Sequence, residues 1–425
     1  MRDVRGKGFA KPLRVNEAWD VFMREANLKP LSPEVVALRE SLGRTLADDI
    51  QAELDIPPFD RAAVDGYAVR AEDTYGASAA SPIVLNVVGV EEVGGETSLH
   101  VGEGEAARIS TGAPMPVGAD SVVMYEYTSS IDGSRVAIQK ATAPGDNVSK
   151  RGEDVRKGET VLKRGTLLKP YDLGMLAAAG VTKVSVIRRP KVAVFSTGSE
   201  LVEPGCKLGG GRIFDVNRYT LQALVREMGG DPLDFGIVHD SFKHVTATIE
   251  RALEKADLVL GSGGTSAGSK DILPNAVNSL GEPGIIVHGV SIKPGRPVAL
   301  AVIRGKPVVL LPGLPVAAVV AFLVFVRRIL AVMLGSPSLG LGGGTVQARM
   351  IRSVASTPGV RSYVRVDLEK KRNGYVAIPI MAGGSGVISS MTRAKGMVVI
   401  PENVEGLAEG EEVEVILLRP LGEPL

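Results

Sequence analysis

The chain has 425 residues, 44% of them apolar, more than one hydrophobic core holds, so at least two domains are expected. Its 49 basic and 48 acidic residues leave a formal charge of +1, which excludes an electrostatic grip on nucleic acid through an excess of basic charge. Cys206 is the one cysteine, which excludes an intrachain disulfide and a cysteine-based zinc site.

His100, His239, His244 and His288 lack metal-ligand spacing. The opening MRDVRGKGFAKPLRV is basic without an apolar run, unlike a secretory signal. The longest apolar stretch, VAAVVAFLVFV from Val316, stops at Arg327 and Arg328 and reads as too short to span a bilayer. A cytoplasmic protein without membrane contact is expected.

In chain order, VNEAWDVFMREAN places Val15, Trp19, Phe22 and Ala26 on one helical face. Residues 51–155 read as a β-rich domain of short Val-rich runs between Gly, Pro and Asp. YDLGMLAAAG returns to a helical pattern.

Residues 188–335 change rhythm. KVAVFS, PLDFGIVH, DLVLGS and VVLLP read as strands, with VNRYTLQALVREMGG and SFKHVTATIERALEKA as helices between them. In the second helix Phe242, Val245, Ile249 and Leu253 share a face. Alternating strands and helices imply parallel pairing with crossovers, hence a doubly wound α/β domain. GSPSLGLGGG reads as a linker, and residues 345–425 as a final β-rich domain.

The glycine turn GSGGTSAGSKD invites three readings. A phosphate loop needs a lysine and a hydroxyl directly after its last glycine, and Ser269-Lys270-Asp271 puts the lysine one place late. A dinucleotide fingerprint fails because Ser266 occupies the last glycine position, and because the turn follows the third strand of the unit. The serine-elbow pattern matches at Gly264–Gly268, but the downstream histidine, His288, lies in the apolar run IIVHGV of a strand. What remains is an anion-facing turn at the carboxyl end of a parallel strand, or a tight turn without a ligand.

Other strand ends carry polar groups: Thr197, Ser199 and Glu200 after the first strand, Asp240 after the second and Asp271 after the third. Three converging carboxylates need a compensating cation, and a hard cation such as Mg²⁺ suits oxygen ligands and bridges to phosphates. Lys293 and Arg296 flank a Pro-Gly turn in SIKPGRP, two cations suited to an oxyanion. PGLP, Pro312 to Pro315, opens a helix with proline in its first turn.

FDRAAVDGYAVR, RISTGAPMPVGAD, RGEDVRKGE, FSTGSELVEPG, GSGGTSAGSKD, IKPGRP and LLPGLP stand in the order and spacing of the MoeA-type molybdopterin molybdenumtransferases, the family of the gephyrin E domain. The sequence resembles that family along essentially its whole length. The resemblance implies a multidomain α/β fold: a central doubly wound, molybdopterin-binding-like α/β domain, β-rich domains, and an elongated helical/β domain. It implies a discontinuous N-terminal dimerisation domain of residues 1–50 and 156–187, an inserted β-rich domain, and a β-barrel-like C-terminal domain.

The implied activity is Mg²⁺-dependent hydrolysis of adenylated molybdopterin with AMP release and insertion of molybdenum from molybdate, or tungsten from tungstate. It also implies a homodimer with a shared site, and an adenylyltransferase that hands over the substrate as a possible partner.

Carried onto this sequence, Asp65 and Thr111 come from the partner copy, with Asp154 as a supporting acid. Glu200, Asp240 and Asp271 act as catalytic and metal-binding acids. Thr197, Ser266, Lys293 and Arg296 hold molybdate or pyrophosphate, Arg365 and Ser385 add oxyanion contacts, and Pro312 and Pro315 shape the wall. Ser199, Ser269, Arg296 and Leu314 depart from residues common in the family. A molybdopterin adenylyltransferase and a non-enzymatic gephyrin-like scaffold are the alternative functions.

Overall fold

The computed structural model describes residues 12–95, 98–264, 272–341, 344–380 and 384–421. The chain divides into two compact units, one of Met1–Glu34, Gly43–Thr45 and Ile187–Leu425, the other of Val35–Leu42 and Leu46–Val186.

The larger unit is organised by a six-stranded sheet. Its strands are β1 (Lys191–Thr197), β2 (Asp231–Val238), β3 (Leu258–Ser262), β4 (Pro283–His288), β5 (Ala299–Ile303) and β6 (Lys306–Leu311). The spatial order is β2-β1-β3-β6-β5-β4. β2, β1, β3 and β6 run parallel, as the alternating pattern predicts.

β5 runs antiparallel to β6, and β4 pairs antiparallel with β5 and so returns to the direction of the first four, which the strand–helix rhythm does not predict. The reason is local. Arg304 and Gly305 both adopt positive φ, 52° and 74°, the two-residue turn that folds β5 straight back into β6 without a crossover.

Helices α1 (Val15–Ala26), α2 (Asn217–Glu227), α3 (Phe242–Lys255), α4 (Ile272–Ser279) and α5 (Pro315–Met333) cover the sheet. Alternation along the strands divides the burial. Val192, Val194, Leu258, Leu260, Val309 and Leu311 face the core that α1, α2 and α5 complete. Ala193, Phe195, Val259, Val308 and Leu310 face α3 and α4. Both faces are therefore covered, and the sheet is doubly wound.

Three expectations change here. The helix α1 buries Val15, Ala18, Phe22 and Ala26 in the α/β core, so this segment clusters with the sheet. Trp19, expected on the buried face, is only partly buried, and the Arg328 guanidinium stacks 3.9 Å from its ring. Phe242 is 49% exposed, because it opens α3 directly after the capping Ser241, before the first turn reaches the sheet.

The stretch read as too short to span a bilayer belongs to a 19-residue helix, since Arg327 and Arg328 continue α5 instead of ending it. That helix is long and apolar enough to cross a membrane, but 83% of its 18-residue apolar window is buried inside the protein.

Beyond α5, the C-terminal strands Arg361–Lys371, Gly374–Pro379, Thr345–Met350, Glu412–Leu417 and Gly396–Ile400 pair in that order, and the last also pairs with the first. The sheet closes into a small barrel around Ala348, Val366, Ala377, Val398 and Val415. The short strand Ile292–Lys293 of the α/β region extends it, pairing with Arg361–Ser362.

In the smaller unit, six strands pair around Gly66–Val69, which is buried between Glu105–Ile109 and Ser121–Met124. A second core, Leu46, Leu168, Leu176, Val184 and Val186, forms around the helix Pro170–Ala178.

Phe22 is fully buried with its ring 6.2 Å from that of Trp19, the one tryptophan of the sequence. Phe22→Ala is expected to destabilise the larger unit by about 3–5 kcal/mol. Urea denaturation followed by Trp19 fluorescence reads this directly, and an unchanged midpoint would contradict the packing of α1 on the sheet.

Candidate functional site at the carboxyl end of the sheet

Parallel strands all deliver their carboxyl ends to one edge, and here four adjacent strands do so. β1 ends in Thr197, and Glu200 follows in the next turn with its carboxylate folded back over Gly198. Asp240 lies two residues beyond the end of β2, and Thr197 Oγ1 donates to its Oδ1 at 3.2 Å. β3 runs into Gly263 and Gly264, and β6 into Pro312 and Gly313.

Gly263 is the closest approach. Its φ is +109°, and a Cβ there would lie 2.1 Å from the Thr197 carbonyl oxygen. Only glycine lets the ends of β1 and β3 press together this way. Thr265, Ser266 and Asp271 lie outside the described residues, as does the rest of the segment 265–271.

The antiparallel pair brings further groups to the same edge. β5 starts at Ala299 opposite Leu310, near the end of β6, so the SIKPGRP turn just before it lies beside PGLP. Gly295 rests against Ile292 and the Ala317 carbonyl of α5. Lys293 and Arg296 are exposed on this turn. The cations and the described acids Glu200 and Asp240 therefore belong to one end of the sheet.

The barrel contributes to that end as well. Lys293 pairs in register with Ser362, and Arg365 lies three residues further along the same strand. Burial pushes the Arg365 guanidinium below its ordinary pKa, and its Nε is buried without a partner among the described residues. The Ser385 carbonyl accepts the Val316 amide at 3.0 Å. Leu314 holds the N-cap of α5 and offers no acceptor of its own, so Ser385 does what a capping side chain at 314 ordinarily does. Pro312, Pro315 and Ser385 thus sit together at the start of α5.

His288, the base that a serine elbow would need, ends β4, three positions from β3 with β6 and β5 between them. At about 4.8 Å per strand that is roughly 14 Å, beyond hydrogen-bond reach. The elbow reading has no base from His288.

In the smaller unit, Asp65 and Thr111 form a local pair. Asp65 Oδ1 accepts the Thr111 amide at 2.7 Å and its hydroxyl at 3.0 Å. The amide chiefly, then the hydroxyl, hold the Asp65 carboxyl below its ordinary pKa. Asp154 stands on another loop, its amide bonded to the Ile56 carbonyl at 3.1 Å. That loop is held by other acids, Asp55 accepting Arg151 Nε and the Lys157 amide, and Asp60 accepting the Arg151 amide.

The sequence reading missed a buried polar group under the site. Asp215 and Arg218 are 1% and 4% exposed, and Arg218 pairs with Asp215, Asp234 and Glu203. Burial works against the Arg218 charge, but the carboxylates of Asp234, Asp215 and Glu203 outweigh it and raise its pKa. Asn217 and Ser262 are buried beside them. The signal was FDVNR, three polar residues at a helix start where a cap ordinarily needs one.

An all-oxygen donor set suits a hard cation. Glu200 and Asp240 are carboxylates, and Mg²⁺ is usually held by one or two carboxylates with substrate phosphates and water completing its shell. Among the described residues no group of three His, Cys, Asp or Glu side chains is placed to hold a metal.

The fold and this rim define a ligand-binding α/β domain joined to a β-barrel, with a further β-rich unit. Three family models match: the MoeA N-terminal region (domain I and II) over residues 13–180, a "Probable molybdopterin binding domain" over 193–332, and the MoeA C-terminal region (domain IV) over 347–418. Molybdopterin molybdenumtransferase 2 of Mycobacterium tuberculosis is 36% identical over 394 residues, 91% of this chain and 96% of that protein. The molybdopterin molybdenumtransferase of Staphylococcus aureus is 32% identical over 407 residues, 96% of each. A crystal structure of the molybdopterin biosynthesis MoeA protein from Pyrococcus horikoshii superposes with a TM-score of 0.81 at 36% identity, covering 96% of this chain and all of that one. The chain belongs to the MoeA family.

Because the depressed pKa favours the Asp65 carboxylate in the folded state, its stabilising contribution is present above the ordinary carboxylate value and lost as pH falls through the lowered one. Thr111→Val removes the hydroxyl but keeps the amide, the larger cause. The Asp65 carboxyl, followed by NMR titration, is therefore expected to move partway up toward its ordinary value. A downward or absent shift would contradict the pairing.

Proposed function

We propose that this chain is a molybdopterin molybdenumtransferase of molybdenum cofactor biosynthesis: it cleaves adenylated molybdopterin, releases AMP and inserts molybdenum from molybdate, or tungsten from tungstate. One observation carries the reading. Groups from chain-distant segments, Thr197, Glu200, Asp240, Lys293, Arg296, Pro312 and Ser385, belong to one end of one sheet. Family membership over the whole chain supports it against an adenylyltransferase, which needs the α/β domain alone. The acids at the rim support an enzyme over a gephyrin-like scaffold.

In this reading Glu200 and Asp240, with Asp271, would hold Mg²⁺, which would supply charge neutralisation for the substrate pyrophosphate. Thr197 orients Asp240 through its hydroxyl. Lys293 and Arg296 bind the oxyanion, and Ser266 is assigned to the same ligand. Pro312 and Pro315 form the wall, while Arg365 supplies a desolvated cation and Ser385 a further contact from the barrel. Phosphoanhydride cleavage is governed by positioning and charge stabilisation, so water serves as the nucleophile and no protein nucleophile is required. Water adds to one phosphorus of the anhydride, the bond from that phosphorus to the bridging oxygen breaks, and AMP leaves while molybdopterin keeps its phosphate, with one proton released.

Asp65, Thr111 and Asp154 complete the site from the partner copy in a cytoplasmic homodimer. The adenylyltransferase of the preceding step is a candidate partner.

Purified protein given adenylated molybdopterin, Mg²⁺ and either oxyanion is expected to release AMP. Asp271→Ala is expected to lower that rate by ~10²-fold or more with the circular dichroism spectrum retained. AMP release near the wild-type rate would remove Asp271 from the reaction. Sedimentation at micromolar concentration is expected to give a dimer, and a monomer under those conditions would contradict the shared site.

A further inference from the structure

Asn217 opens α2 with its side chain buried, 7% exposed, directly beneath the strand ends. Its Nδ2 donates to Ser262 Oγ at 2.7 Å, the last residue of β3, and to the Gly313 carbonyl at 2.8 Å in the turn after β6. The Pro312 carbonyl lies 3.5 Å from the same nitrogen. Ser262 Oγ in turn donates to Pro312 O at 3.3 Å. One amide nitrogen thus joins the strand that leads into the Gly263–Gly264 turn to the PGLP turn that starts α5.

Its neighbours extend the clamp to β1. Ser196 Oγ donates to Asp215 Oδ1 at 3.0 Å, and Asp215 accepts the Arg218 amide at 3.2 Å and Arg218 Nε at 3.1 Å. Arg218 reaches Glu203 on the loop that follows Glu200, and Asp234 on β2. The chemistry at 217 is specific. The surrounding groups are carbonyls and a hydroxyl that already donates, so the position needs two N–H donors from one short side chain. Asparagine offers both, whereas an aspartate there would set a carboxylate against two carbonyl oxygens.

We propose that Asn217 is a positioning residue: it fixes the spacing between the glycine turn after β3 and the PGLP turn after β6, and so the geometry in which the groups on those turns meet a ligand. Its catalytic consequence rests on the function proposed above; the mechanical coupling does not. Misplacement of reacting groups by about 1 Å costs ~10²-fold in rate. The loss therefore falls on kcat and spares the KM for adenylated molybdopterin, because Asn217 is buried and its amide nitrogen is taken up by Ser262 and Gly313.

The test is Asn217→Asp in the full chain, with Asn217→Ser, which keeps one donor, as the second variant. Phe22→Ala is the comparison, a destabilising change in the core helix α1. Hydrogen–deuterium exchange is read on peptides covering 258–264 and 306–315, and AMP release is measured under saturating and limiting substrate.

Asn217→Asp is expected to speed exchange in both peptides and to lower kcat by ~10- to 10²-fold, with KM within about threefold of wild type. Asn217→Ser is expected to fall between the two, and it decides the question if the aspartate variant does not fold. Phe22→Ala is expected to lose stability without this kcat loss. Unchanged exchange in the two peptides, or a variant whose loss lies in KM alone, would overturn the proposal. If the wild-type protein releases no AMP, the proposed function fails, while the exchange result still decides the coupling.

Discussion

Four parallel strands end side by side, and the chain must turn there without leaving buried polar groups unpaired. An unpaired buried donor or acceptor costs about 1–3 kcal/mol, and more if it is charged. The cluster at the start of α2 meets that demand. Asp215, Asn217 and Arg218 are nearly fully buried, and their partners come from β1, β2, β3, the turn after β6 and the loop around Glu203. Because each partner lies on a different segment, satisfying the buried groups also fixes the loops against one another. Such a frame holds ligand-binding groups in place before the ligand arrives.

Charge follows the same geometry. Glu200 and Asp240 sit after β1 and β2, and Lys293 and Arg296 precede β5, all at one end of the sheet. In the proposed function the acids serve a cation and the bases an oxyanion, as a ligand carrying both metal and phosphate would require. The barrel joins this edge through two backbone links, Lys293 with Ser362 in register and Val316 N to Ser385 O. Leu314 leaves α5 without a side-chain cap, and the Ser385 carbonyl of the barrel takes that place.

Much of the α/β domain was legible in the sequence because its signals are local. Buried parallel strands read as apolar runs, and the helices Asn217–Glu227 and Phe242–Lys255 follow from a 3.6-residue period. The placement of Thr197, Glu200, Asp240, Lys293 and Arg296 at one end of the sheet was legible because they lie near the ends of apolar runs. What was not legible depends on contacts between distant segments. The packing of α1 on the sheet joins Phe22 to Leu300 and Val302, and no spacing in VNEAWDVFMREAN encodes that choice. The return of β5 beside β6 turns on the φ values of Arg304 and Gly305. Asn217 looked like one more polar residue at a helix start, and its value lies in Ser262 and Gly313, 45 and 96 residues away.

The placement of the oxyanion is the point on which these relations meet, and tungsten offers a direct probe of it. Crystals grown with tungstate, AMP and Mg²⁺ and measured for anomalous scattering are expected to show tungsten at the carboxyl end of the sheet, within hydrogen-bonding reach of Lys293 or Arg296. A cleft of mixed charge, with Arg188, Arg189, Lys191 and Lys306 beside Glu34, Asp231, Glu254 and Asp257, lies at the amino ends of the same strands. Tungsten bound only there, with nothing at the carboxyl end, would contradict the site.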